Sequence, residues 1–319
     1  MNNNTSKSRK VVIVGAGDVG SSFAYALAQR GIAEEIAMVD VNTELMKGQV
    51  LDLVHGAPYY PTVKIQNGDK SDYADARVIV ITAGAKQKPG ESRLELLKKN
   101  VRIIEGIVSD IVEQNSKAII VVVSNPVDVL TYFAWKKSGW PRHRVIGSGT
   151  VLDSARLRYL ISDHCDLDVK NVHAYIIGEH GDSEFAAWSM SHIGGMTLEE
   201  FLDLKGDRDD NKRIQNEIEQ KVRDSAYHII DYKGATYYAV GLALVKITEA
   251  ILLNQKSVLT VSMCLDGEYD LSDVCLGVPC LVSAVGAEEI IEKKLPPKEQ
   301  KSLERSADIL KKSIDQARQ

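Results

Sequence analysis

Apolar and polar positions along this chain fall into two recurring patterns. Continuous β-branched runs at 10–14, 35–39, 76–83, 118–123 and 144–147 read as strands buried on both faces. Helical spacing lies between them: Phe23, Ala24, Ala26 and Leu27 after the first run, then 94–113 and 127–138. Strand–helix alternation of this kind predicts right-handed crossovers and a doubly wound parallel sheet of Rossmann type, with helices on both faces. The second half reads differently. An apolar run at 172–177 is followed by helical patterns at 214–232 and 235–253 and by alternating strands at 257–265 and 274–282 around Asp266-Gly267. Leu303, Ala307, Leu310, Ile314 and Ala317 then place one apolar stripe on a last helix. The expectation is an α/β chain of two domains, a parallel-sheet domain at 1–150 and a mixed α+β domain at 151–319. Residues 1–8 are polar and read as a frayed end.

Composition narrows the classes. A chain of 319 residues, 44 % apolar and 26 % charged, has the make-up of an ordinary soluble protein able to bury a large core. The net charge of −5 offers no electrostatic basis for nucleic acid or an anionic membrane as partner. No window is long enough for a membrane span and the N-terminus lacks an apolar signal core, so the expected location is the cytoplasm. Cys165, Cys264, Cys275 and Cys280 show no metal-ligand spacing; they are expected to be free thiols, three of them among apolar neighbours, and no metal site is expected.

Candidate chemistry gathers where the strands end. Gly15-Ala16-Gly17-Asp18-Val19-Gly20 follows the first strand and opens a helix. Glycines there serve a tight turn, close approach to a diphosphate, and close helix–strand packing. The anion would sit on the free N–H groups of the helix start. Asp40 ends the second strand twenty residues beyond Gly20, the offset at which an acid meets the adenosine ribose hydroxyls and repels a ribose phosphate. NAD is therefore expected over NADP, although a solvated strand-end acid has the same appearance. After the third strand, the polar loop 82–93 carries Pro89-Gly90 and ends at Arg93; it reads as a mobile lid, with Arg93 either in the site or on the surface. Asn125, after the fourth strand, suits a helix cap or a ligand to a polar substrate atom.

Asp153 and Arg156, three apart in a largely apolar helical segment, share a face with Leu160 and need a reason to be half-buried. The stretch Gly178-Glu179-His180-Gly181-Asp182-Ser183-Glu184 follows the apolar run at 172–177. A histidine delivered by a strand into a loop of glycines and carboxylates suits proton transfer near neutral pH, or is simply a satisfied loop histidine.

Taken in order, Gly15-Ala16-Gly17-Asp18-Val19-Gly20, Gln87-Lys88-Pro89-Gly90-Glu91-Ser92-Arg93, Ser124-Asn125-Pro126-Val127-Asp128, Leu152-Asp153-Ser154-Ala155-Arg156 and Gly178-Glu179-His180-Gly181-Asp182-Ser183 resemble the bacterial L-lactate dehydrogenases of the lactate/malate dehydrogenase superfamily. The resemblance runs from Lys10 to the C-terminal helix. It implies reversible, NAD-dependent oxidation of L-lactate to pyruvate in fermentative glycolysis. His180 is then the acid/base, Asp153 its partner, Arg156 the fork on the substrate carboxylate and Arg93 a lid arginine that polarises the carbonyl. Asn125 and Thr236 would line the substrate pocket. Gly15, Gly17, Asp18, Val19, Gly20, Asp40, Thr82, Ala83, Gly84, Asn125 and Val240 would contact NAD.

In this family Gln87 occupies the position that separates lactate from malate, where malate enzymes carry arginine. An amide there cannot compensate a second carboxylate, so lactate is expected over malate by orders of magnitude. Arg158 and His173 match positions where many bacterial members bind fructose 1,6-bisphosphate across a subunit interface, with a plain exposed arginine and a strand histidine as the other reading. A homotetramer is likewise implied only by the family. Val282-Ser283-Ala284-Val285-Gly286 departs from the family's Asn-Arg-x-Gly and puts local turn or interface detail in doubt. Two rival functions stand beside this one: another 2-hydroxy-acid dehydrogenase, acting on malate or a bulkier side chain, and a non-catalytic relative that merely retains NAD.

Overall fold

The computed structural model describes residues 9–87, 90–206 and 210–319. The N-terminal residues 1–8, and Lys88 and Pro89 of the expected lid, lie outside the described residues.

The first half alternates β1 (Lys10–Val14), α1 (Asp18–Arg30), β2 (Glu35–Val39), α2 (Thr43–His55), β3 (Lys64–Asn67), β4 (Val78–Ile81), α3 (Arg93–Glu113), β5 (Ile119–Val122), α4 (Val127–Ser138) and β6 (Val145–Gly147). These six strands are parallel throughout: β1 pairs with β2 and β4, β2 with β3, β4 with β5, and β5 with β6. The strands are short, and those at the centre are buried along their whole length, which is what β-branched runs covered by helices on both faces produce. All the strand ends that carry chemistry therefore open on one edge, the carboxyl edge of the sheet.

The second half begins with α5 (Val151–Cys165) and continues through β7 (Val172–His173), β8 (Ile176–Ile177), β9 (Phe185–Ala186), β10 (His192–Ile193), β11 (Met196–Thr197), α6 (Leu198–Lys205), α7 (Asn211–Lys233), α8 (Tyr238–Leu252), β12 (Ser257–Asp266), β13 (Ser272–Ser283), β14 (Gly286–Ile290) and α9 (Pro297–Arg318). Its three long strands do not form a sheet of their own. They extend the parallel sheet antiparallel beyond β6, in the order β14-β13-β12-β6-β5-β4-β1-β2-β3. A first core is continuous across that seam, while a second, smaller core under α5, α6 and α7 is built from Leu157, Ile161, Ile176, Leu202, Ile218 and Val222 among others.

The apolar run at 172–177 differs from the single strand expected. It splits into β7, paired with β10, and β8, paired with β9. Side chains of α5 take its backbone groups at the break: Ser154 Oγ accepts from Ile176 N–H at 2.9 Å, and Arg158 Nε donates to the Ala174 carbonyl at 3.0 Å. A backbone satisfied by side chains has fewer groups left for a ladder. All four cysteines are buried free thiols, as expected.

Candidate active site

The β1–α1 turn is built for close approach. A Cβ on Gly20 would stand 1.9 Å from the Gly15 carbonyl oxygen, and one on Gly15, whose φ is +112°, would stand 2.7 Å from Ala83 N. Gly17 faces open space instead, with nothing within 4 Å of where a Cβ would lie. Gly17 caps α1 without a side-chain hydrogen bond, so no cap side chain occupies the helix start, where first-turn N–H groups favour an anion. Asp40 closes the turn from β2: Oδ2 accepts from Ala16 N–H at 2.6 Å and Oδ1 from Asn42 N–H at 2.7 Å. Each oxygen keeps lone-pair capacity for a ribose hydroxyl. This combination of open glycine, helix start without a cap side chain and fixed carboxylate fits a dinucleotide.

Around this turn the other strand ends converge. Thr82 Oγ1 donates back to the β1–α1 turn, and Ser124 Oγ donates to the Ala83 carbonyl at 2.5 Å. Asn100 of α3 is buried and joins two loops, its Oδ1 accepting from Ala85 N–H at 2.8 Å and its Nδ2 donating to the Asn125 carbonyl at 3.3 Å. Pro126, not Asn125, occupies the cap position of α4; Asn125 Oδ1 accepts from Val127 N–H at 3.3 Å in a local turn, which leaves its amide N–H groups as what it can offer a ligand. Thr236 Oγ1 is buried with no partner among the described residues, an orphan suited to a bound polar group. Val240 is half-buried on α8 and packs against the main core.

The second half brings His180, Asp153 and Arg156 together. Asp153 Oδ2 lies 2.7 Å from His180 Nδ1, and Asp153 Oδ1 accepts from Arg156 Nη1 at 2.7 Å. The pairing follows from helix geometry: Asp153 and Arg156 lie three apart on α5, and Asp153 sits in its first turn, where the helix dipole favours an anion. Burial works against the Asp153 carboxylate, yet His180 and Arg156 hold its pKa below the ordinary value. Burial also works against a charged His180 ring, but Asp153, with Glu184 and Asp128 behind it, raises it to about 9. The His180 side chain remains 27 % exposed, so Nε2 is left as the nitrogen that can meet a ligand.

Two of these neighbours escaped the sequence reading. Asp128 of α4 is buried and accepts from His180 N–H at 2.8 Å and from Ser262 Oγ at 2.6 Å. Burial pushes its pKa up to about 6 against those two bonds. It anchors the histidine loop from the opposite half of the chain. Glu184 is buried beside the His180–Asp153 pair, its carboxylate within 4.8 Å of both. The signal for Glu184 was an acid directly before the apolar run Phe185-Ala186-Ala187. For Asp128 it was only a place within a quoted motif.

Gln87 and Arg93 stand apart from this cluster. Gln87 is exposed, and its Nε2 donates to the Glu91 carbonyl at 2.7 Å across the base of its own loop. Arg93 is exposed at the first position of α3, fixed there by a reciprocal cap in which Ser92 Oγ accepts from Glu95 N–H at 3.2 Å and Glu95 Oε2 from Ser92 N–H at 2.8 Å. Arg158 of α5 is bonded to the Ala174 carbonyl, next to His173 in the chain, and its guanidinium lies 5.3 Å from the Tyr175 ring centre. His173 is exposed and pairs across the strands with His192.

Two family models match this chain: the lactate/malate dehydrogenase NAD-binding domain over residues 9–147 and the lactate/malate dehydrogenase alpha/beta C-terminal domain over 150–319. The L-lactate dehydrogenase of Treponema denticola is 56 % identical over 312 residues, covering 97 % of this chain and 98 % of that protein. That of Priestia megaterium is 50 % identical over 313 residues, covering 98 % of each. Among solved structures, the ligand-bound minor L-lactate dehydrogenase of Enterococcus mundtii superposes with a TM-score of 0.94 at 42 % identity, over 97 % of this chain and 98 % of that one. A lactate dehydrogenase from a Medee basin deep-sea metagenome superposes with 0.94 at 45 % identity, over 98 % of this chain and 100 % of that one.

Proposed function

The chain belongs to the lactate/malate dehydrogenase family, and we propose that it is an NAD-dependent L-lactate dehydrogenase interconverting L-lactate and pyruvate. The observation that carries this reading is the single buried carboxylate of Asp153, which holds His180 Nδ1 on one oxygen and Arg156 on the other. Gly15, Gly17 and Gly20, with the N–H groups of Asp18 and Val19, would hold the dinucleotide's diphosphate, and Asp40 its adenosine ribose. Thr82, Ala83, Gly84, Asn125 and Val240 would lie along the rest of it. NAD supplies the hydride acceptor when bound, and NADH the donor.

The chain's own residues do the remainder. Asp153 fixes the His180 tautomer with the proton on Nδ1, so Nε2 takes the hydroxyl proton from lactate and returns it to pyruvate. The imidazolium that results is stabilised by the same carboxylate. Arg156 commits one N–H to Asp153 and has others left for a forked grip on the substrate carboxylate. Thr236 offers its unpartnered hydroxyl to the substrate end of the pocket. Arg93, carried in by closure of the 82–93 loop, polarises the carbonyl where negative charge develops, and closure excludes water. Gln87 arrives on the same loop and sets the preference for a methyl group over a second carboxylate.

The test is NADH oxidation by pyruvate and by oxaloacetate. Pyruvate should be turned over rapidly and oxaloacetate poorly, and Gln87→Arg should swing preference toward oxaloacetate by at least two orders of magnitude, the scale of an unpaired buried charge. Unchanged preference in that variant would sink the specificity assignment.

Arg158 and His173 support a second part of the reading, activation by fructose 1,6-bisphosphate in a homotetramer. Arg158 on α5 and His173 on β7, outside the catalytic cluster, offer N–H donors to phosphate groups, and pairing them with the same residues of a second subunit would couple effector to assembly. Pyruvate saturation curves that coincide with and without the bisphosphate would remove it.

A further inference from the structure

Glu184 has no part in the chemistry derived above, yet it closes the inner side of the catalytic pair. The residue is only 5 % exposed, and a carboxylate oxygen of it lies within 4.8 Å of a carboxylate oxygen of Asp153 and a ring nitrogen of His180. Charged groups face it from three elements: Asp153 and Arg156 on α5, His180 on the loop, and Arg223 on α7. Arg223 is committed elsewhere, with Nη1 donating to Glu219 Oε1 at 2.7 Å and reaching the Glu184 backbone carbonyl at 3.3 Å. Glu219 in turn accepts from Trp188 Nε1 at 3.2 Å. Arg156 is already bonded to Asp153. A buried carboxyl among groups so engaged is held either as a neutral acid or as an ion that takes a partner from a neighbour.

We propose that Glu184 is a positioning residue for substrate binding: as the neutral acid it leaves Arg156 free for the substrate carboxylate, and as the carboxylate it draws Arg156 away. The charge balance gives the direction. Above neutrality Asp153 and Asp128 already offset the two cations, Arg156 and protonated His180, so an ionised Glu184 leaves the cluster with an excess negative charge facing the incoming anion. Burial and the facing Asp153 carboxylate push the Glu184 pKa well above the usual range, against the pull of His180, Arg156 and Arg223. By linkage, an anion bound at Arg156 favours a proton on Glu184, so binding takes up proton beyond that taken by His180.

The proposal rests on the assignment of Arg156 to the substrate carboxylate, and the experiment separates the two. Oxamate, the amide analogue of pyruvate, is titrated calorimetrically into the enzyme–NADH complex in buffers of differing ionisation heat, from neutral pH into the alkaline range. Wild type should show two linked ionisations and Glu184→Gln only one. Where Glu184 ionises, the KM for pyruvate in wild type should climb about tenfold per pH unit more steeply than in Glu184→Gln, with KM rather than kcat carrying the difference. Superimposable uptake and KM profiles, or a kcat loss equal at every pH, would overturn it, the latter marking a packing role. Should Glu184→Gln fail to fold, a wild-type uptake curve accounted for by one ionisation does the same. Arg156→Lys should weaken oxamate at every pH; if it does not, the Arg156 assignment is what has failed.

Discussion

Asp153 Oδ2 and His180 Nδ1 stand 2.7 Å apart, and much of the protein's expected pH behaviour follows from that contact. With the ring raised to about 9, His180 is charged at neutral pH and neutral only in the alkaline range. With His180 as the proposed acid/base, pyruvate reduction needs the charged ring and lactate oxidation the neutral one. Pyruvate kcat/KM should therefore hold steady through neutrality and fall as pH rises through about 9, while lactate kcat/KM rises over the same interval. Asp153→Asn removes the main group that raises the ring. His180 should then drop toward its ordinary value near 6.5, and pyruvate kcat/KM at pH ~7.5 should fall by about tenfold from lost protonation alone. A falling limb that stays where it was would show that Asp153 does not set the ring's ionisation. Residue types and spacing could anticipate Asp153 and Arg156 on one helix face and His180 in a loop that suits proton transfer, but the pairing of Asp153 with His180 was implied only by the family resemblance. Asp128 could not be anticipated. Its partner is the backbone N–H of a residue fifty-two positions away, and a backbone group leaves no mark in sequence.

Gly17 and Gly20 belong to one turn and one motif, but the element they shape makes opposite demands on them. Gly20→Ala would drive a methyl group to within 1.9 Å of the Gly15 carbonyl, backbone that can give way only by opening the β1–α1 turn. The expected cost is about 1–3 kcal/mol of stability together with loss of NADH affinity. Gly17→Ala meets nothing within 4 Å among the described residues beyond its chain neighbours, so its melting temperature should match wild type. Its NADH affinity should still fall tenfold or more, because the added methyl occupies the approach of the diphosphate. Fluorescence titration with NADH beside thermal melts checks both, and a Gly17→Ala enzyme that binds NADH normally would mean the dinucleotide does not pass there. Elements with strong periodicity or β-branched runs were legible: β1, β2 and α4 have the ends expected of them. The run at 172–177 was not, because Ser154 and Arg158 of α5 claim its backbone from outside the segment. Nor could a strand pattern reveal that β12 would join the first sheet, since alternation specifies faces and not neighbours.

The joining of the two halves assembles the candidate active site. β12 meets β6 at Ser262 and Gly147, and a Cβ on Gly147 would lie 2.4 Å from Thr131 Oγ1 and 2.9 Å from Ser262 Cβ, so the seam closes only because that position is bare. Thr150 N–H donates across it to the Thr260 carbonyl at 3.0 Å. Ser262 is also the donor to Asp128, and Asp128 holds the His180 backbone, so the contact that joins the sheet halves is two hydrogen bonds from the acid/base. On the proposed assignment the dinucleotide contacts other than Val240 lie on the first half, and the His180–Asp153 pair lies on the second. Disturbance of the seam should therefore uncouple them rather than damage both. Ser262→Ala keeps the shape and removes one donor from a buried carboxyl, at a cost of about 1–3 kcal/mol. The melting temperature should fall by several degrees and kcat should drop, while the NADH dissociation constant stays at the wild-type value. An NADH affinity that falls in step with kcat would show that the seam supports the dinucleotide half as well, and that the acid/base is not held from Asp128 in the way the hydrogen bonds indicate.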